Sequence, residues 1–164
     1  MIWRDDDIGA ARDLAALCEV DDLLRAAGQI HTVAVVVEPL SYDHALIDCI
    51  KSRGMDVQVH AWTHEDLTSD AGAREDLLRA ADTLERLFGR RPTVLYPPWN
   101  RSNPDVEAAA ARAGLTVSAE KVSLEHFIRS EGQPLCPVIN FHFWSAEERR
   151  LLRSALALLR GVSA

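Results

Sequence analysis

Four polar clusters combine residue types that do chemistry: the triplet Asp5, Asp6 and Asp7; the pair His60 and His64; the segment YPPWNR, with Tyr96, Pro97, Pro98, Trp99 and Arg101; and His142. Three adjacent carboxylates repel one another, so the triplet asks for a cation or a helix N-terminus nearby. Taken alone it also fits a helix cap facing water. In VHAWTHEDLT the two histidines are four apart, a spacing that on a helical turn puts both imidazoles on one side, within reach of one metal ion. Neutral imidazole suits zinc, and an aspartate would complete a three-ligand set with positions left open for water and substrate. The prolines and tryptophan of YPPWNR make a rigid apolar platform of the sort that stacks on a sugar ring, or a stiff loop with its tryptophan packed inward. His142, flanked by apolar residues in INFHFW, fits a satisfied core histidine or, at a strand end, a catalyst.

These residues need a scaffold, and the chain spells out alternating helices and strands. Leu14, Leu17, Cys18, Leu24 and Ala27 recur at helical spacing over residues 11–27 and stop at Gly28. HTVAVVV (31–37) is a β-branched run closed by Pro39, which reads as a strand buried on both faces. A helix over 42–53 ends at Gly54, and the short strand MDVQVH runs into His60. The next helix, about 70–88, stacks Leu77, Ala81, Leu84 and Phe88 before Gly89 and Pro92; TVLY (93–96) follows as a strand. Asn103-Pro104 opens a helix that closes at Gly114, LTVS (115–118) is a strand, and PVINFHF (137–143) is a late strand. Ser145 and Glu148 form a capping box for a last helix through Leu159. This alternation demands a mainly parallel sheet with helices outside it, and all four clusters fall at carboxyl ends of strands, where one mouth would gather them.

Composition limits the rest. At 164 residues the chain is one domain, and its 48% apolar and 26% charged residues exclude disorder, collagen-like repeats and coiled coil. A net charge of −7 with no basic block argues against binding nucleic acid through its phosphates. Cys18, Cys49 and Cys136 are widely spaced, odd in number and without a CxxC pair, so they read as buried free thiols in a reducing compartment. The acidic N-terminus lacks the basic and apolar regions of a secretory signal, and no apolar run reaches the ~18 residues of a membrane span. The expectation is a cytoplasmic chain with no membrane partner.

Taken in order, RDDDIG, HAWTHEDL, LYPPWNR and INFHF resemble the motifs of the polysaccharide deacetylase superfamily, the NodB-homology domain of carbohydrate esterase family 4. The likeness runs from residue 4 to residue 142. It implies an α/β fold, a distorted and incomplete (β/α) barrel of mainly parallel strands with outer helices, filling residues 1–164 as a single catalytic domain. It also implies a divalent metal, zinc by its ligands, and removal of acetyl groups from N-acetylated sugars. By register Asp6 is the general base and Asp7 a metal ligand; a shift of one moves these roles to Asp5 and Asp6. His60 and His64 inherit the remaining ligand positions, and His142 that of the general acid. Tyr96, Pro97, Pro98, Trp99 and Arg101 fall on the groove-lining motif, with Tyr96 where the family has an arginine, so that Arg101 or Arg4 would have to hold the base. The aspartate of the family's fourth motif is not evident between residues 115 and 130. The mechanism implied is attack on the amide carbonyl by water activated at the metal, its proton taken by Asp6, with His142 protonating the leaving amine. Two other readings stay open: a non-catalytic carbohydrate-binding relative, and a hydrolase of a non-sugar amide or cyclic ureide on the same fold.

Overall fold

The computed structural model describes residues 1–134 and 136–161, with side chains through Leu159. Strand β1 (Ile2–Ile8) leads through helix α1 (Leu14–Ala26) to β2 (His31–Val36), all six residues of which are buried. A single turn α2 (Val37–Leu40) and helix α3 (His44–Arg53) lead to β3 (Asp56–Ala61). Then come α4 (Ala71–Phe88), β4 (Val94–Leu95), α5 (Pro104–Arg112) and β5 (Thr116–Val117). The last part of the fold is β6 (Val122–Ser123), α6 (Leu124–Arg129), β7 (Val138–Phe141) and α7 (Ala146–Gly161).

Among the described residues all seven strands are parallel, in the order β5-β4-β3-β2-β1-β7-β6. This order forces curvature. β5 and β6 sit at opposite edges, about 29 Å apart if the sheet were flat, yet only residues 118–121 join them and reach at most about 17 Å. The sheet curls into a half-barrel, and the short connection bridges its open side. One rim then collects the carboxyl ends of β1, β3, β4 and β7, the expected mouth.

Differences from the sequence reading have local causes. The strand over 31–37 stops at Val36, because Val37 to Leu40 form a helical turn around Pro39. The next helix starts at His44, capped by the Asp43 carboxylate accepting from the Leu46 N–H at 3.0 Å, and Tyr42 is exposed. Asn103 caps α5 as its sequence indicates, accepting from the Val106 N–H. β6 and α6 carry too short an apolar pattern to register, with only Leu124 and Phe127 buried in α6. Phe127 is part of the core, meeting the Trp3 ring edge-on at 5.5 Å. The three cysteines are half-buried, and two of them are neighbours.

Candidate metal and acid–base site

An extended strand sends successive side chains to opposite faces. Arg4 and Asp6 accordingly share one face, while Asp5 points to the other. There Asp5 is wholly buried, accepting from the Phe143 N–H at 2.8 Å and lying 3.1 Å from His31 Nε2. Burial pushes its carboxyl up to about 6 against these partners. Asp7 should follow Asp5 but does not, because the pairing of β1 with β2 shifts between Asp5 and Ile8 and Asp7 adopts φ +66°. Aspartate is among the few side chains that tolerate this left-handed conformation. The bulge thus delivers Asp6 and Asp7 to the same rim. Gly9 secures the exit, at φ +99° with Val36 O only 2.6 Å from where a Cβ would sit.

His60 is the last residue but one of β3 and His64 lies in the bend that follows, so the pair is joined by a strand end and a turn rather than by the helical turn expected from its spacing. The bend still brings the rings within 5.2 Å of each other. His60 Nδ1 donates to the Tyr96 carbonyl at 2.5 Å, which leaves its Nε2 facing Asp7 Oδ1 at 3.4 Å. His64 Nε2 is 3.1 Å from the same oxygen. One ligand atom from each of Asp7, His60 and His64 lies within 4.8 Å of the others, a donor set of two imidazoles and a carboxylate that fits a divalent ion. Burial raises the Asp7 carboxyl, but the bonds and charges of the two histidines outweigh it and keep Asp7 ionised far below the usual range.

Asp6 is 3% exposed and held from two sides: Arg4 Nη2 donates to its Oδ2 at 2.9 Å and Asn140 Nδ2 to the same atom at 2.8 Å. Among the described residues its other oxygen, Oδ1, is buried with no hydrogen-bond partner. Arg4 is itself fully buried, donating also to Asn100 Oδ1 at 2.6 Å, with its guanidinium 4.7 Å from the Tyr96 ring centroid. The arginine beside Asp6 is therefore Arg4, over the tyrosine. Arg101 instead pairs with Asp66 at the surface, 2.9 Å away.

His142 follows β7 directly, its Nε2 3.9 Å from Asp7 Oδ2. Glu148 Oε2 meets both its Nδ1, at 2.9 Å, and its backbone N–H, at 2.6 Å. The capping box is thereby half-formed: Ser145 Oγ accepts from the Glu148 N–H, but the Glu148 carboxylate turns to His142 instead of back to Ser145. Burial disfavours a charged His142, yet the Glu148 bond and the charges of Glu148, Asp6 and Asp7 raise its pKa overall.

Asp6, Asp7, His60, His64 and His142 line one cavity of about 310 Å³. Of the YPPWNR segment Trp99 and Asn100 join them, Trp99 half-exposed and edge-on to His64 at 4.7 Å, with the strained φ of +53°. Tyr96, Pro97 and Pro98 are buried beneath, and Tyr96 acts through its carbonyl and ring. Sequence reasoning missed Asn100, Lys121, Asn140 and Glu148. Lys121, on the short 118–121 connection, lines the cavity and donates from Nζ to Asn140 Oδ1 at 2.9 Å, which fixes the amide so that its nitrogen faces Asp6. Burial, with the Arg4 charge, lowers the Lys121 pKa. A capping-box glutamate six residues after a strand-end histidine was the one available signal among these four.

The sequence profile of the family described as polysaccharide deacetylase matches residues 12–118. The chain belongs to the polysaccharide deacetylase family. Solved structures similar to this family member include a family 4 carbohydrate esterase from Streptomyces lividans in complex with acetate. That match has a TM-score of 0.80 at 20% identity and covers 99% of this chain and 88% of that one. The peptidoglycan deacetylase PdaC from Bacillus subtilis matches with a TM-score of 0.74 at 19% identity over 98% of this chain and 81% of that one. A family 4 pseudoenzyme from Bacillus anthracis matches with a TM-score of 0.83 at 13% identity, over 99% of this chain but only 60% of that one. At such identities the likeness is one of fold. No curated protein matches the chain in sequence. Among the described residues no helix is long and apolar enough to cross a membrane.

Proposed function

We propose that this polysaccharide deacetylase family member is a metal-dependent amide hydrolase that removes acetyl groups from N-acetylated sugars. The observation that carries the reading is the buried, unpartnered Oδ1 of Asp6 in the same cavity as the Asp7, His60 and His64 donor set. A buried carboxylate oxygen without a donor is costly, and a water that gives it a proton would relieve that cost. In this reading Asp7, His60 and His64 hold the ion, zinc by its donor set, which when bound supplies Lewis acidity toward a water and the amide carbonyl. The bond from His60 to the Tyr96 carbonyl holds the imidazole in the tautomer a ligand needs. Arg4 and Asn140 both bind Oδ2 of Asp6, keeping Oδ1 free to accept the proton of the attacking water.

His142, on the other side of Asp7, gives its Nε2 proton to the departing amine, while Glu148 holds the imidazole by Nδ1 and favours its protonated form. Trp99 offers its half-exposed face to the sugar ring. The structural likeness to deacetylases and to an esterase holding acetate supports acetylated sugar as the substrate class. The pseudoenzyme likeness raises the non-catalytic reading, against which stands the convergence of base, donor set and acid in one cavity. Acetate release from N-acetylated oligosaccharides tests the proposal: wild type should release acetate and Asp6→Asn should not, whereas metal binding with no release by either favours a binding protein.

A further inference from the structure

Cys18 on α1 and Cys49 on α3 lie with their sulfurs 3.3 Å apart, 31 positions from each other in the chain. Both are half-buried, so a small reagent reaches them. Their approach is held by charge one turn further along each helix. Arg53, four residues after Cys49, donates to Asp21, three residues after Cys18, at 2.9 Å, and to Asp22 at 2.7 Å. Asp21 is buried and also binds Arg25 of its own helix at 2.7 Å, which holds in place the carboxylate that Arg53 reaches across the seam. Nothing in the deacetylase reading uses this pair.

We propose that Cys18 and Cys49 form a thiol–disulfide exchange site, at which a low-molecular-weight disulfide such as oxidised glutathione converts the two thiols into one intrachain disulfide joining α1 to α3. The Cys18 thiolate attacks one sulfur of the oxidant, breaking its S–S bond and releasing one reduced thiol. Cys49 then gives up its proton and attacks the Cys18 sulfur of the mixed disulfide, expelling the second. The protein thiols lose two electrons and two protons, and the oxidant takes them up as two thiols.

The order of attack follows from the surroundings. Burial and the neighbouring Cys18 push the Cys49 thiol up to about 11, which disfavours Cys49 as the first nucleophile. Because the sulfurs are already in contact, the second attack is intramolecular and outruns capture of another oxidant. Closing the gap to a bonded S–S length takes roughly 1.3 Å of side-chain movement.

The test uses the intact chain equilibrated in reduced or oxidised glutathione, quenched with an alkylating reagent and examined by intact and peptide mass spectrometry. The expected result in oxidised glutathione is a protein lighter by two hydrogens, with Cys136 alone alkylated and a peptide cross-link between Cys18 and Cys49. Its Tm should rise by roughly 10 °C over the reduced protein, as closure of a loop of this length implies. Cys18→Ser and Cys49→Ser should each lose both changes. Three alkylated cysteines in oxidised glutathione, a lasting glutathione adduct without cross-link, or pairing through Cys136 would overturn the proposal. A Cys18–Cys49 cross-link without the rise in Tm would overturn the claim that the native helix contact accommodates it.

Discussion

Replacing Glu148 by glutamine keeps the side chain's volume and removes the charge that favours a proton on His142. One carboxylate oxygen serves both the ring Nδ1–H and the backbone N–H of His142. A hydrogen bond to a charged group is worth about 1.5–3 kcal/mol, and with 27% of the His142 side chain and 30% of the Glu148 side chain exposed, the lower end applies. About 1.4 kcal/mol is a factor of ten in an equilibrium constant. The folded-state pKa of His142 is raised, so its proton is retained as pH climbs past the ordinary histidine range. Without Glu148 the proton is lost earlier, and the alkaline limb of the pH profile moves to lower pH. In the limb where rate follows the protonated fraction, the amide rate should fall about tenfold, with little change on the acid side. The assay is the pH dependence of kcat/KM for an acetylated amide and for an activated aryl ester, whose leaving group needs little protonation. An unmoved alkaline limb, or equal losses on amide and ester, would refute the link from Glu148 through His142 to the leaving group.

Asp6→Asn should keep the metal and lose about two to four orders of magnitude in turnover, by elemental analysis and acetate release on one preparation; loss of the metal instead would show that Asp6 is a ligand. His60→Ala and His64→Ala should each lower metal content, since each removes one atom of the donor set, and unchanged content in both would place the ion elsewhere. His31→Ala should cost about 3–5 kcal/mol and lower Tm by roughly 10 °C or more, because it leaves Asp5 and Asp21 buried without the imidazole that lies 3.1 and 3.4 Å from them; a melt within about 2 °C of wild type, worth about 0.5 kcal/mol, contradicts this. The His31 pKa is raised despite burial by Asp21 and Asp5. Its contribution to stability is therefore fully present below the ordinary histidine pKa and is lost as pH rises through the folded value, which pH-dependent denaturant melts of wild type and His31→Ala should display as a converging difference.

Much of the fold was legible because its pattern is local: the buried run from His31 to Val36, the amphipathic α4 and the Asn103 cap each follow from neighbouring residues. Convergence of four clusters on one rim followed from strand–helix alternation alone. The parts that escaped depend on tertiary events. That Asp6 and Asp7 share a rim while Asp5 does not rests on a single left-handed residue, which three identical letters in a row do not announce. The capping-box pattern of Ser145 and Glu148 was read correctly as a helix start, yet its glutamate found a stronger partner in His142. Arg4, two residues before Asp6 on the same face of β1, was foreseeable by strand period; its Tyr96 platform was not. Lys121 enters the cavity only because a four-residue connection must bridge the open side of the curled sheet, and the contact of Cys18 with Cys49 depends on how α1 and α3 pack.

The most direct test of the central claim is a titration of chelated, metal-free protein with zinc in which bound metal and acetate release from an N-acetylated oligosaccharide are followed together. The account predicts that both rise in proportion and level off at one equivalent, and that Asp6→Asn follows the same binding curve with no acetate. Acetate release at full rate before any metal binds, or one equivalent bound with wild type as silent as Asp6→Asn, would contradict it.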